Sequence, residues 1–183
     1  MTVFLRRIEQ NVELRLLQAY HAEQLFLLSQ RNRAYLQTWL PTLDFTLSVN
    51  HSRKYINLSL EQYANREGLK CGIWYDGKLA GLIGHYKMDW MNKNTCLEYW
   101  LGEEFSGQGL MTKACQAMVD YALNDLKLHR VEIRCAVENR KSRAIPERLG
   151  FEMEGIVREV EWLHDHYVDH ALYSMLDRDW PRR

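Results

Sequence analysis

The segment Ser106-Gly107-Gln108-Gly109-Leu110-Met111-Thr112 places two glycines one residue apart at the mouth of a long amphipathic stretch. Glycine lets the backbone approach an anion without a Cβ in the way. The first N–H groups of a helix have no intrahelical partner and carry partial positive charge. A phosphate or pyrophosphate is the ligand that this combination suits. The same residues also read as a tight helix entry that holds nothing, and the fragment alone leaves both readings open. Two nucleotide-binding signatures do not fit. A dinucleotide fingerprint needs a third glycine where Thr112 stands, and a Walker-type loop needs Gly-Lys-Ser/Thr, which is absent.

Other residue types invite chemistry more weakly. His164, His166 and His170 lie close enough in sequence to converge on a metal, but turn histidines are more often solvated, and no metal is expected. Cys71, Cys96, Cys115 and Cys135 form no C-x-x-C pair, so neither a zinc site nor a dithiol redox site is indicated. Each lies in an apolar pattern, where a free thiol acts as a small hydrophobe. His85 reads as a strand residue with satisfied ring nitrogens, with proton transfer as its alternative role. Glu103 and Glu104 read as solvated loop charges or as favourable partners of a helix N-terminus.

The elements that must position these residues follow from periodicity. Val12, Leu14 and Leu16 alternate with charged residues, the period of a half-buried strand. A helix follows, with Ala22, Leu25, Phe26 and Ser29 on one face, and Leu40-Pro41 interrupts it. Ser48 to Arg66 reads as a second helix, with Ile56, Leu60, Tyr63 and Ala64 in line. Leu69–Tyr75 and Leu79–Met88 flank Asp76-Gly77, a strong hairpin signal because both residues tolerate positive φ. Thr95–Leu101 is a further strand. The helix after the glycines runs from about Gly107 to Leu126 and buries Met111, Ala114, Cys115, Met118, Val119 and Ala122. Arg130–Val137 is a strand, and Ser142–Leu149 is a short helix that stops at Gly150. Two strands, Ile156–Leu163 and Tyr167–Met175, close the pattern around His164-Asp165-His166. The order predicts an α/β fold of α+β type, with about seven strands in a mixed, mostly antiparallel sheet and about four helices on its faces.

Whole-chain properties narrow the function classes. The 183 residues carry only three prolines and no linker-like stretch, so residues 1–183 are expected to form a single domain. Lysine and arginine together number 24, as do aspartate and glutamate. No net field favours nucleic acid or an anionic membrane. The locally basic tail, Arg178-Asp179-Trp180-Pro181-Arg182-Arg183, reads as a solvated end. The start Met1-Thr2-Val3-Phe4-Leu5-Arg6-Arg7 has no signal-peptide pattern, and no apolar run has membrane-spanning length. A cytoplasmic protein is expected, and a homo-oligomer is compatible with the sequence.

The junction Glu98-Tyr99-Trp100-Leu101-Gly102 before the glycine segment resembles the acetyl-CoA motif of the GCN5-related N-acetyltransferase superfamily, whose core reads Q/R-x-x-G-x-G/A. Gly107 and Gly109 match. Glu104 stands where the superfamily has Gln or Arg. Asn139-Arg140-Lys141-Ser142 followed by Arg148-Leu149-Gly150-Phe151 resembles its N-x-x-S … K-L-G-F signature, with Arg148 in place of lysine. The element order agrees, so the resemblance spans essentially the whole chain. Trp39-Leu40-Pro41 and Tyr99-Trp100-Leu101 resemble the branch that acetylates the N-termini of ribosomal proteins.

The resemblance implies an acetyltransferase in which an amine attacks the thioester of acetyl-CoA directly. The amine would be the N-terminus of a protein such as a ribosomal protein, or a small amine such as a polyamine; a non-catalytic acyl-CoA-binding module is the alternative class. Cofactor contacts are expected from Trp100, Leu101, Gly102, Gly107, Gln108, Gly109, Leu110, Met111, Thr112 and Asn139. A backbone N–H near Trp100–Gly102 would polarise the acyl carbonyl. Glu98 is the candidate base, since it lies on the strand expected beside the thioester, and a salt-bridged surface carboxylate is its other reading. The resemblance puts Ser142 near the cofactor sulfur, where its hydroxyl could protonate the departing thiolate. Its other reading is the N-cap of the short helix. Asn139 could bind the pantetheine arm or stabilise a turn.

Overall fold

Alternating apolar residues in Val12–Leu16 (β2) and the apolar runs of Leu69–Tyr75 (β3) and Lys78–Asp89 (β4) build the middle of one sheet. The computed structural model describes residues 4–181. Met1, Thr2, Val3, Arg182 and Arg183 therefore lie outside the described residues, including part of the start and of the basic tail read above. Among the described residues the sheet has eight strands in the order β1-β2-β3-β4-β5-β6-β8-β7. Its remaining strands are β1 (Leu5–Glu9), β5 (Asn94–Leu101), β6 (Arg130–Ala136), β7 (Glu152–Leu163) and β8 (His166–Leu176). All neighbours pair antiparallel except β5 and β6.

The strand beyond the expected seven is β1. It is an edge strand whose residues are at most half-buried, so it lacks the apolar stripe that makes a strand visible in sequence. The Asp76-Gly77 turn joins β3 and β4 as expected, with φ of 47° at Asp76 and 74° at Gly77.

Helices α1 (Ala22–Arg31), α2 (Arg33–Leu36) and α3 (Val49–Ala64) precede β3. Helix α4 (Leu110–Asp120) starts three residues later than the periodicity suggests and ends in a π-helical turn, Tyr121–Asp125. Helix α5 (Arg140–Arg148) links β6 to β7. Two cores result. The larger joins α4 to Leu14, Ile73, Ile83, Leu97, Val131 and Tyr173. The smaller joins Leu25, Leu28 and Ile56 to Trp74, Leu79 and Leu82 on the opposite face. Among the described residues no helix is long and apolar enough to cross a membrane.

Candidate active site

The parallel ladder between β5 and β6 is short. It runs from Asn94↔Arg130 to Leu97↔Ile133 and then stops, although both strands continue. The two strands therefore part between Glu98–Leu101 on one side and Arg134–Ala136 on the other. Pairing with β4 continues unbroken from Cys96 to Leu101, so no bulge resets the faces of β5. Trp100 packs into the smaller core, whereas Leu97, Tyr99 and Leu101 belong to the α4 side. This is the alternation of an uninterrupted strand.

Alternation also assigns the amides. Gly102 N–H donates to Ala80 O at 2.8 Å. The Trp100 and Glu98 amides are in phase with it and turn toward β4. The Tyr99 and Leu101 amides turn the other way, into the opening toward β6. Of the segment Trp100–Gly102 expected to offer a free donor, Leu101 is thus the residue that can. The Gly102 amide is already committed.

The glycine segment stands at the end of this opening. A single turn, Glu103–Phe105, separates β5 from it. Buried Asn32 ties that turn to α1, accepting from Glu103 N–H at 2.8 Å and donating to Leu28 O at 3.1 Å. Gly107 and Gly109 have φ of 79° and 73°, and a Cβ built at either would meet no atom within 4 Å. Gly109 is the N-cap of α4 and provides no side-chain cap. The first amide to return to the helix is Lys113 N–H, which donates to Gly109 O at 3.1 Å. The N–H groups of Leu110, Met111 and Thr112 thus remain at the helix entrance, outside the helical ladder. Leu110 and Met111 bury their side chains in the core, so any ligand contact there is through backbone. The glycines leave room for an anion, and the α4 entrance supplies donors without acidic competition in its first turn. A pyrophosphate fits this cradle. Arg148 Nη2 donates to Thr112 Oγ1 at 3.2 Å and adds a guanidinium beside it. Glu104 points elsewhere, its carboxylate lying against Gly102.

Asn139 and Ser142 are brought to the opposite lip. Asn139, not Ser142, caps α5: its Oδ1 accepts from Ser142 N–H at 3.1 Å. The sequence offers Ser142 as the cap and Asn139 as a turn former; the cap falls on Asn139 because α5 begins at Arg140. Ser142 Oγ donates to Cys135 Sγ on β6 at 3.2 Å, and Tyr99 Oη donates to Ser142 O at 3.0 Å. Tyr99 thus reaches across the opening from β5. Burial holds its phenol well above the usual tyrosine range and also pushes up the Cys135 thiol. Neither Tyr99 nor Cys135 stands out as a polar site residue in the sequence, where both read as pattern residues of a strand.

Glu98 is about half exposed and forms an ion pair with Lys70 of β3, whose side chain is buried. The Lys70 ammonium also lies 5.1 Å from the centre of the Tyr86 ring. His85 is fully buried; its Nε2–H donates to Met118 O of α4 at 3.0 Å, and its Nδ1 has no partner. That position denies it access to a substrate. The three turn histidines have separate partners: His164 Nε2 meets Gln37 O at 2.8 Å, His166 Nδ1 meets Asp165 at 2.8 Å, and His170 Nε2 meets Glu161 at 2.9 Å. His170 stands opposite Ala136 at the end of β6. Among the described residues no three His, Cys, Asp or Glu side chains gather around a point that could hold a metal. A cavity of about 430 Å³ lies between Gln37–Trp39 and the β7–β8 turn, with Glu138, Leu163, His164 and Val168 on its walls.

Known proteins resemble this chain in sequence and in fold. The acetyltransferase (GNAT) domain family matches residues 11–152. YdaF of Bacillus subtilis (strain 168) is 36% identical over 179 residues, covering 97% of this chain and 98% of its own length. The ribosomal-protein-serine acetyltransferase of Escherichia coli (strain K12) is 28% identical over 170 residues, covering 93% and 95%. The solved structure of RimL, a ribosomal-protein α-N-acetyltransferase in complex with coenzyme A, superposes with a TM-score of 0.91 at 26% identity, covering 94% of this chain and 98% of that one.

Proposed function

The chain belongs to the GNAT acetyltransferase family, and from this premise we infer that it transfers an acetyl group to the α-amine at a protein N-terminus, with a ribosomal protein as the acceptor. It is an N-acetyltransferase, and acetyl-CoA is its donor. The observation that carries the reading is the parting of β5 from β6 directly before the α4 cradle. It leaves a passage from a phosphate site to unpaired strand amides. The acceptor is inferred from the ribosomal-protein acetyltransferases that match nearly the full chain. In this reading the whole chain works as one catalytic unit in the cytoplasm.

The donor, when bound, supplies an activated acetyl thioester. The Leu110, Met111 and Thr112 amides, with Gly107, Gln108 and Gly109, hold its pyrophosphate. Asn139, whose Oδ1 caps α5, can offer its amide nitrogen to the pantetheine arm. The Leu101 amide donates to the acyl oxygen, with Trp100 and Gly102 fixing the strand on either side of it. Ser142 exchanges its hydroxyl bond to Cys135 Sγ for one to the departing thiolate, which needs only modest help because a thiol pKa is about 8.5.

The acceptor explains why no strong base is required. An α-amine has a pKa of roughly 7.7–8.0, so about a third is neutral near pH 7.5; for lysine, at about 10.4, the fraction is about one in a thousand. Glu98, on the face opposite α4, is the proposed proton acceptor. The groove beside Trp39 is the proposed approach for the peptide.

A peptide panel with radiolabelled acetyl-CoA tests the acceptor. Label is expected on free α-amines and absent from the same peptides blocked at the N-terminus. Efficient labelling of polyamines without any α-amine labelling would replace this reading with a small-amine acetyltransferase.

A further inference from the structure

Helix α5 contains a proline at Pro146. Proline has no N–H, so the helical bond it would have donated four residues back is missing. The carbonyl left without that donor belongs to Ser142. Tyr99 Oη donates to this oxygen at 3.0 Å, from the far side of the β5–β6 opening. The Ser142 amide is held by Asn139 Oδ1 and its hydroxyl by Cys135 Sγ. Each polar atom of Ser142 thus meets a different segment, and the Tyr99 bond is the one that refers the residue to β5.

We propose that Pro146 and Tyr99 form a positioning device for Ser142: the proline releases the Ser142 carbonyl from its own helix, and the tyrosine registers it against the strand whose free amides face the reaction. This rests on the reading of Ser142 as the proton donor. Without the device, α5 would set the place of Ser142 through the helical ladder alone. β5 would set the place of the Leu101 amide independently, across strands that have already parted after Leu97 and Ile133. One side chain then couples the donor of the hydroxyl hydrogen to the donor that faces the acyl oxygen. Tyr99 suits the task because its ring packs against the main core and its hydroxyl stays protonated through burial.

The rescue pattern of four variants tests this. Tyr99→Phe keeps the ring and deletes the bond. It is expected to lower kcat by about tenfold or more, as misplacement of a reacting group does, with KM for acetyl-CoA nearly unchanged and Tm lower by about 4 °C. Adding Pro146→Ala returns an N–H to the helix, so Y99F/P146A is expected to recover Tm but not kcat. Ser142→Ala is expected to be slow by itself, and Y99F/S142A no slower than S142A, because residues acting through one group are not additive. Recovery of kcat in Y99F/P146A would show that satisfying the carbonyl is enough and would overturn the device. A normal kcat in Y99F beside a slow S142A would overturn it as well, leaving the Ser142 reading intact. Additive losses in Y99F/S142A would give Tyr99 a role of its own. A normal kcat in S142A would remove both the Ser142 reading and the inference.

Discussion

Proton removal is the step in which single residues decide most. Glu98 is half exposed, paired with Lys70, and on the face opposite α4. Glu161 is a second carboxylate to weigh, paired with His170, which stands opposite Ala136 at the end of β6. Replacement by the isosteric amide separates them. If Glu98 accepts the proton, Glu98→Gln lowers kcat/KM by about 10²-fold or more and flattens its rise with pH, while Glu161→Gln keeps the wild-type profile. The opposite result would transfer the role to the Glu161–His170 pair. Loss in neither variant would leave the neutral fraction of the α-amine as the sufficient nucleophile. At this scale the sequence was informative about types and weak about partners. Gly107 and Gly109 were legible because positive φ is a property of the residue itself. The Lys70 partner of Glu98 was not, since the two are 28 positions apart and meet only through the β3–β4–β5 register.

Element by element, packing between β4 and α4 sets an acid limit on stability. Burial depresses the His85 pKa from the ordinary 6.5 to about 4, partly opposed by its bond to Met118 O. A folded-state value below the unfolded one means that the unfolded chain binds more protons between them. The contribution is intact above about pH 6.5 and fades as pH falls toward 4. Glu154 acts in a lower window: its bonds from Arg130 and Ser174 hold its carboxyl at about 2, so its contribution is lost between about pH 4.5 and 2. Wild-type Tm is therefore expected to fall between pH 6.5 and 4, and His85→Gln to flatten that fall while leaving the decline below pH 4. An unchanged slope in H85Q would locate the acid sensitivity elsewhere. Elements with one buried face, such as α4 and the β3–β4 hairpin, were legible in the residue pattern. β1 was not, because edge strands bury little, and of the two readings left open for Ser142 the cap went to Asn139, one turn earlier, a residue type that the local rule also allows.

Taken whole, the molecule is a sheet in two parts, β1–β5 and β6–β8, joined by one short ladder. That division could not be read from the sequence. β5 and β6 are both strands of ordinary length, and nothing in their residues says that they separate after Leu97 and Ile133. The position of Leu101 at the opening follows from this separation and not from its own type.

The separation also has a consequence for motion. The Tyr99 and Leu101 amides are strand amides without a strand beside them, so in the free protein they are expected to exchange their hydrogens with solvent faster than their neighbours facing β4. A donor lodged between β5 and β6 would act as the missing rung and slow that exchange in both halves of the sheet at once. Hydrogen–deuterium exchange with and without coenzyme A reads this directly. Protection is expected to concentrate on residues 99–101 and 134–136 and at the α4 entrance, with about 2.7 kcal/mol of added stability at a hundredfold excess over Kd. Gly109→Val, which forces a branched side chain to positive φ, should weaken the binding and with it the protection. Protection confined to the α4 entrance would mean that the two halves move independently. In the expected case, the substrate that supplies the acetyl group also completes the sheet that holds it.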